Sequence, residues 1–253
     1  NLKKNIKLSG VQIYSLGFVV IILVGTILLT LPISTASGES TSFLDALFTA
    51  TSAVCVTGLI VVDTGSYWNM FGQTIIMILI EIGGLGFMSF TTLIAIILGK
   101  KITLRERLIL QDAMNTFNIQ GLVKMVKYVL VFTVSVQFFG ALLLSTQFIP
   151  EFGFGKGAFY SLFHSISAFC NAGFDVLGKG NSLISFNTNV VVIMVLSILI
   201  IIGGLGFTVW SELYTCKSIR RVSIHSKMVL LITTGLVVGG TLLMFLFEHN
   251  NPQ

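Results

Sequence analysis

Two segments of the chain combine residue types and spacing that suit the coordination of a cation by backbone carbonyl groups. Residues 49–58 read Thr-Ala-Thr-Ser-Ala-Val-Cys-Val-Thr-Gly, and residues 164–173 read His-Ser-Ile-Ser-Ala-Phe-Cys-Asn-Ala-Gly. Each segment ends in a glycine, which permits a turn that a residue with a Cβ atom resists. Carbonyl oxygens presented by such a turn can replace the hydration shell of a cation. Four pairs of residues match at one offset of 115: Ser52/Ser167, Ala53/Ala168, Cys55/Cys170 and Gly58/Gly173.

A short apolar helix is predicted to lead into each segment. The first covers residues 42–53, with Ser42 or Thr41 as its N-cap and Asp45 in its first turn. The second covers residues 158–169. A helix of about twelve residues is roughly 18 Å long, whereas the hydrocarbon core of a bilayer is roughly 30 Å thick. We therefore expect each helix to enter the membrane partway and the chain to return to the same side, as a re-entrant pore helix.

The composition places the chain in a membrane. Of its 253 residues, 54% are hydrophobic and 10% are charged, and the mean hydropathy is +0.95. Soluble domains carry about 25% charged residues. The sequence also contains apolar runs long enough to cross a bilayer, so it predicts an all-α integral membrane protein. Three cysteines without a CxxC motif indicate neither a disulfide framework nor a zinc site.

A hexapeptide provides a second repeated block. The sequence Ile-Gly-Gly-Leu-Gly-Phe occurs at residues 82–87 and again at residues 202–207, each time inside a predicted span. Two matching blocks in the same order are typical of a tandem repeat. Closely spaced glycines weaken a helix and let another backbone approach. We interpret the hexapeptide as a helix-packing face, and a functional hinge is the alternative.

The apolar runs predict five spans, at residues 11–31, 70–98, 125–148, 189–210 and 228–247. Pro150 is expected to end the third span, and residues 151–157 are expected to form a glycine-rich loop.

The predicted organisation is a tandem array of span, pore helix, loop and span. The first repeat covers residues 11–98 and the second covers residues 124–215. A cytoplasmic leader at residues 1–10 precedes them, and a basic cytoplasmic connection at residues 99–123 joins them. Residues 216–253 would form a further cytoplasmic loop and the first span of a third repeat. Because the chain begins without Met and ends just after a span, we expect it to be part of a longer protein.

The distribution of basic residues predicts the orientation. With the N-terminus in the cytoplasm and re-entrant pore helices, the cytoplasmic segments are residues 1–10, 99–127 and 216–227. They hold thirteen of the fifteen Lys and Arg residues and leave only Lys156 and Lys179 outside. Cytoplasmic loops of membrane proteins carry such an excess. The net charge of +5 is thereby explained without nucleic acid as a partner, and the mouths of both loops are predicted to be extracellular.

Eight loop residues form the candidate cation site, mainly through their backbone carbonyls, and a buried structural loop is the alternative reading. These residues are Cys55, Val56, Thr57, Gly58, Cys170, Asn171, Ala172 and Gly173.

Four polar side chains elsewhere are further candidates. Glu81 is a carboxylate deep in a predicted span, and such a group is either functional or a hydrogen-bonded partner of nearby polar backbone. Asp63 and Asp175 follow the two loops. They would concentrate cations at the outer mouth, or they cap helices and shape the loops. His164 is more typical of a satisfied buried histidine than of a ligand.

Several motifs resemble the Trk/Ktr/HKT superfamily of potassium transporters, and most closely its bacterial KtrB-type membrane subunits. The resemblance covers essentially the whole chain. It rests on Val-Cys-Val-Thr-Gly-Leu59, Phe-Cys-Asn-Ala-Gly-Phe174, both hexapeptides, Leu31-Pro-Ile-Ser34, Asp45-Ala-Leu-Phe-Thr49, Val61-Val-Asp-Thr-Gly65 and Ser165-Ile-Ser-Ala-Phe169.

This resemblance implies a pore of pseudo-fourfold symmetry built from four span–loop–span units, of which this chain holds two and the start of a third. It further implies a homodimer of membrane subunits on a cytosolic nucleotide-binding ring, with the nucleotide on that partner and no covalent cofactor on this chain. A glycine in each filter loop accompanies potassium selectivity in the family, whereas serine in the first loop accompanies sodium transport in some plant members. Gly58 and Gly173 fit the potassium side.

The function expected from these features is potassium uptake across the bacterial plasma membrane through a backbone-carbonyl filter, with coupling to Na⁺ left open. The alternative is a secondary carrier for another cation or solute that uses the re-entrant loops as gates. An intramembrane enzyme has no support, because paired catalytic carboxylates, HExxH and GxSxG are absent from the sequence.

Overall fold

The computed structural model describes residues 10–86, 122–178, 182–216 and 222–248. Within these residues every regular element is helical, and one isolated bridge pairs Thr35 with Trp68. The α-helices are α1 (Gly10–Thr30), α2 (Phe43–Val54), α3 (Thr64–Tyr67), α4 (Met70–Leu85), α5 (Leu122–Phe152), α6 (Phe154–Phe169), α7 (Val190–Gly204), α8 (Phe207–Cys216) and α9 (Ile224–Glu248). Short 3-10 turns occupy Pro32–Ser34 and Ser182–Phe186.

Apolar helices dominate the described residues, as the composition predicts. Two of them, residues 126–152 and Ile224–Glu248, are long and apolar enough to cross a membrane, and α7 and α8 give a third if they are counted together. Helices α1, α2 and α4 contain shorter apolar stretches. The predicted all-helical membrane class is therefore confirmed.

The chain divides into two compact units, residues 1–200 and 201–253. In the first unit, α1 and α4 pack against α2, and α5 packs against α6. Its largest fully buried side chains are Trp68, Phe148 and Phe163. Between these helices lies one continuous apolar cluster that includes Leu29, Ile76 and the segment after α6. This core holds α2 and α6 in place.

Both predicted short helices are present. Helix α2 has 12 residues, and Ser42 caps it by accepting a hydrogen bond from the backbone N–H of Asp45 at 3.2 Å. The Ser42 hydroxyl also donates to the Asp45 carboxylate at 2.7 Å. Helix α6 has 16 residues and starts at Phe154. At about 1.5 Å per residue, both helices are shorter than the ~30 Å hydrocarbon core of a bilayer.

The predicted glycine-rich loop at residues 151–157 is wrong. Helix α5 continues to Phe152 with Pro150 inside its last turn, and α6 begins two residues later, so Gly153 alone separates the two helices. Gly153 has φ +79°, a conformation that glycine adopts without a Cβ penalty. Proline lacks the N–H group that would bond the carbonyl four residues earlier, so Pro150 removes one hydrogen bond of the helix, which ends two residues later.

The hexapeptide ends a helix in both repeats. Helix α4 stops at Leu85 and Gly86 has φ +77°, while α7 stops at Gly204 and Gly206 has φ +84°. The predicted fourth span, residues 189–210, is therefore two helices and not one. The predicted second span was also expected to continue to residue 98, and its part beyond Gly86 lies outside the described residues. A glycine at positive φ after the last helical residue is a common helix stop.

The second unit contains α8 and α9. The Glu212 carboxylate accepts hydrogen bonds from the Ser226 hydroxyl at 2.8 Å and from the Ser223 backbone N–H at 3.1 Å. Ser223 in turn caps the first turn of α9. Along α9 most of the apolar side chains are exposed and Ser226 is buried. This amount of exposed apolar surface suits a helix that meets lipid or other apolar helices.

Candidate functional site

The loops that follow α2 and α6 have the same backbone conformation. We call residues 55–58 loop 1 and residues 170–173 loop 2. Val56 has φ +55° and its counterpart Asn171 has φ +58°, while Gly58 and Gly173 have φ +72° and +73°. Positive φ costs a residue with a Cβ atom roughly 1–2 kcal/mol, and a β-branched residue there is a genuine outlier. Strain of this kind persists where the surrounding structure imposes it, often at functional sites.

The two loops also make the same backbone hydrogen bonds. Their first three N–H groups donate back into the preceding helix, to carbonyls four, three and five residues earlier. This is a Schellman-type helix end with a side chain where glycine is usual. In loop 1 the bonds are Cys55 to Thr51, Val56 to Ala53 and Thr57 to Ser52, at 2.8, 3.2 and 3.0 Å. In loop 2 they are Cys170 to Ile166, Asn171 to Ala168 and Ala172 to Ser167, at 2.9, 3.0 and 2.8 Å.

This arrangement separates donors from acceptors. The first three N–H groups of each loop point toward the helix, and within the described part of the chain the carbonyls of residues 55–58 and 170–173 accept no hydrogen bond. Each loop also follows the C-terminal end of a helix, which carries a partial negative charge. Unpaired carbonyls beside a helix C-terminus provide a favourable environment for a cation.

The loops of the two repeats lie directly against each other. A Cβ atom at Gly58 would overlap the carbonyl oxygen of Ala172 and would lie 3.3 Å from the Cα atom of Gly173. The ideal Cβ of Gly173 would lie 3.8 Å from the Cα atom of Gly58, an ordinary contact distance. The predicted residues of both segments are therefore brought together, and their closest approach requires glycine at position 58.

Side-chain hydroxyls support each loop from behind. Ser52 and its counterpart Ser167 are both buried. The Ser167 hydroxyl donates to the backbone carbonyl of Phe174 at 2.7 Å, and the hydroxyls of Ser52 and Thr57 are 2.9 Å apart. The matched serines thus hold their loops through different atoms.

Solvent exposure differs along the eight candidate residues. Cys55, Thr57, Asn171 and Gly173 are exposed, whereas Ala172 is buried with 1% of its surface accessible. Cys170 is half-buried, because its sulfur faces α4.

The glycines of the first hexapeptide pack against the candidate site. A Cβ atom at Gly83 would overlap the carbonyl oxygen of Val54, the last residue of α2. A Cβ atom at Gly84 would lie 2.5 Å from the Cys170 sulfur. These contacts agree with the packing-face interpretation of the hexapeptide.

Glu81 lies in the same turn of α4 as these glycines and bonds to two groups. Its Oε2 atom accepts a hydrogen bond from the Gln137 side-chain amide at 2.8 Å and contacts the Cys170 thiol at 3.5 Å. Gln137, on α5, is buried with 4% of its surface accessible. Sequence reasoning did not single out Gln137. Its position offered a signal, since an amide side chain in the middle of a predicted apolar span needs hydrogen-bond partners when it is buried.

The other candidate side chains have local roles. Asp63 caps α3 and accepts from the Ser66 backbone N–H at 3.1 Å, and Asp175 accepts from the Leu177 backbone N–H at 3.2 Å. His164 is buried, and its Nδ1 lies 2.7 Å from the carbonyl oxygen of Tyr160. Its Nε2 atom has no hydrogen-bond partner among the described residues.

Comparison with known proteins gives the class of the chain. The sequence model of one family, TrkH, described as a cation transport protein, matches residues 9–245. The chain belongs to this TrkH family. The family consists of ion transporters and not of enzymes.

Curated relatives of this family member are named as uptake proteins. The chain is 50% identical to the potassium/sodium uptake protein NtpJ of Enterococcus hirae, over 98% of this chain and 55% of that protein. It is 44% identical to the Ktr system potassium uptake protein B of Bacillus subtilis over 98% of this chain and 55% of the relative. The corresponding protein of Vibrio alginolyticus is 40% identical over 96% of this chain and 53% of the relative. The chain therefore spans about half the length of the curated relatives it matches.

Proposed function

We propose that the chain forms part of the membrane subunit of a Ktr-type system that takes up K⁺ across the bacterial plasma membrane. Loops 1 and 2 act as two sections of one selectivity filter, and K⁺ at the filter is cargo. The observation that carries the proposal is the shared loop geometry. In both loops the carbonyls that follow the helix C-terminus accept no hydrogen bond from the described residues, and the loops touch at Gly58 and Ala172.

The chemistry of a filter fits these groups. A cation that leaves water loses its hydration shell, and a set of carbonyl oxygens at fixed positions replaces that shell. The eight residues 55–58 and 170–173 supply such oxygens. The first three N–H groups of each loop bond to the preceding helix, so the loops do not depend on hydrogen bonds across the pore. We propose that their carbonyls therefore face the ion.

Membrane placement follows from helix length and charge. Helices α2 and α6 are too short to cross the hydrocarbon core, and non-helical backbone at membrane depth is tolerated only inside protein or beside a watery path. We therefore place both helices as re-entrant pore helices with extracellular mouths. The N-terminus and the basic connections lie in the cytoplasm, in accord with the thirteen basic residues on that side.

The two loops supply half of the proposed ring. Two loops cannot surround an ion, so the proposal requires two further loops that complete the pseudo-fourfold pore. The chain covers about half of the length of its relatives, so a subunit of their length would have room for these loops. The complete subunit is proposed to dimerise and to rest on a cytosolic nucleotide-binding ring that gates it. Asp63 and Asp175 add negative charge at the outer mouth besides their local bonds.

Growth and flux measurements test this function. We expect the complete subunit, expressed with its cytosolic partner, to restore growth at low K⁺ to a bacterial strain that lacks its own K⁺ uptake. A carrier of another solute would not restore growth. In the same cells, Gly58→Ser is expected to weaken discrimination of K⁺ over Na⁺, because its side chain collides with the Ala172 carbonyl. Absence of K⁺ uptake by the unmodified subunit, at normal membrane levels, would overturn the proposal.

A further inference from the structure

One turn of α4 contacts the ends of both pore helices. Gly83 lies against the carbonyl of Val54, at the end of α2, and Gly84 lies against Cys170, at the start of loop 2. An ideal Cβ atom at Gly84 would lie 2.5 Å from the Cys170 sulfur and 2.7 Å from its Cβ. The turn formed by residues 81–84 therefore sits behind both loops at once.

The Glu81 side chain extends this support to α5 and α6. Its Oε2 atom receives both the Gln137 amide and the Cys170 thiol. The backbone carbonyl of Gln137 accepts a hydrogen bond from the buried Ser165 hydroxyl at 2.7 Å. A continuous path of polar contacts thus joins α4, α5, α6 and loop 2. Polar groups in an apolar interior are costly without such partners.

We propose that Glu81 is a positioning residue for loop 2, an inference that rests on the proposed function. It holds Cys170, whose φ of −76° and ψ of −4° precede the left-handed residue Asn171. A shift of Cys170 would rotate the carbonyls that follow it in loop 2. Glu81 does not touch the ion and acts through Cys170. Ile201 precedes the second hexapeptide at the matching position, so this carboxylate belongs to the first repeat alone.

Two substitutions at Glu81 separate positioning from charge. Glu81→Gln cannot carry a charge but keeps a side-chain oxygen that can accept from both donors. Glu81→Leu has a similar volume and removes the acceptor as well. If the carboxylate acted by attracting cations, both variants would be impaired alike. If Glu81 positions the loop, Glu81→Gln retains function and Glu81→Leu does not.

The experiment measures K⁺ uptake against competing Na⁺ in cells that express the complete subunit, normalised to the amount of protein in the membrane. We expect Glu81→Leu to lower discrimination of K⁺ over Na⁺ about tenfold, the scale of one buried donor left without its acceptor. Glu81→Gln is expected to stay within about twofold of the unmodified subunit. Equal impairment of both variants, or unchanged discrimination in Glu81→Leu, would overturn the inference.

A double substitution tests whether Glu81 acts through Cys170. If it does, Glu81→Leu combined with Cys170→Ala is no worse than the more impaired single variant, whereas independent effects would add. Gln147→Leu is the matched control for Gln137→Leu, since Gln147 also lies on α5 but bonds Asn189. Gln137→Leu should lose discrimination and Gln147→Leu should not. Additive effects, or equal effects of the two glutamine variants, would contradict the inference.

A labelling measurement is independent of transport. In a background with Cys55→Ser and Cys216→Ser, Cys170 is the remaining thiol of this segment. We expect Glu81→Leu to raise the rate at which a small membrane-permeant thiol reagent modifies Cys170, because the thiol loses its partner. An unchanged rate would contradict the positioning role even if transport were altered. Absence of K⁺ uptake in the unmodified subunit would instead refute only the proposed function.

Discussion

A methyl group at Gly58 tests whether the contact between the two loops sets the geometry of the filter carbonyls. Gly58 has φ +72°, and Gly38, in an exposed loop, has φ +74°. A Cβ atom at position 38 has no neighbouring heavy atom within 4 Å, whereas one at position 58 overlaps the Ala172 carbonyl oxygen. Gly58→Ala and Gly38→Ala therefore share the backbone strain and differ in the collision.

The structure sets the expected magnitude. Backbone strain costs roughly 1–2 kcal/mol at either position. The collision adds about 1–3 kcal/mol of overpacking at Gly58, and the neighbouring Ala172 carbonyl must shift to relieve it. Because that carbonyl is a proposed ligand, the shift reduces discrimination between ions, and 1.4 kcal/mol corresponds to about tenfold. We expect Gly58→Ala to lose about tenfold more K⁺ over Na⁺ discrimination than Gly38→Ala.

Two measurements on the complete subunit check this prediction. Initial rates of K⁺ uptake at increasing Na⁺ give the discrimination, and thermal unfolding of the purified protein in detergent gives the stability. Gly38→Ala should unfold at a lower temperature with unchanged discrimination, and Gly58→Ala should lose both. If the two variants discriminate equally well, the Ala172 carbonyl is not held in place by this contact, and the reasoning is refuted.

Four further substitutions, one of them a control, probe the surroundings of the loops in the complete subunit. If a third loop packs on loop 2, Gly173→Ala should impair K⁺ discrimination about as much as Gly58→Ala does. A Gly173→Ala variant that loses stability through backbone strain but keeps its K⁺ discrimination would argue against the ring. Ser167→Ala removes the donor to the Phe174 carbonyl, which directly follows loop 2. It should cost about 1 kcal/mol of unfolding free energy and weaken K⁺ affinity. Ser161→Ala is its control, because it loses only a hydrogen bond within α6, and it should leave K⁺ affinity intact. If Ser167→Ala and Ser161→Ala had similar K⁺ affinities, a specific role of Ser167 would be excluded. Gly83→Ala collides with the last carbonyl of α2 and should cost about 1–3 kcal/mol of stability, whereas an unchanged melting temperature would contradict the close packing of α4.

The sequence anticipated the parts of the fold that depend on local patterns. Apolar runs located the helices, and Ser42 marked the start of α2. The offset of 115 between the loops correctly paired Gly58 with Gly173, which share their φ angle. The positive φ of Val56 and Asn171, which stand at the same offset, could not be read from residue type, because the two residues differ and valine rarely adopts it.

Other features depend on tertiary contacts or on competing local signals. The third glycine of each hexapeptide stops a helix, although the apolar pattern continues past it. Pro150 was expected to end a helix that in fact runs two residues further. The partners of Glu81 lie 56 and 89 residues away along the chain, so their meeting follows from packing and cannot be read from spacing.

The measurement closest to the central claim is the position of bound ions. A structure of the complete subunit with Rb⁺ or Tl⁺ in place of K⁺ would locate them by anomalous scattering. The account predicts ion density within coordination distance of the carbonyls of residues 55–58 and 170–173. Ion sites along the transport path that are coordinated by side chains elsewhere, with none at these loops, would contradict it.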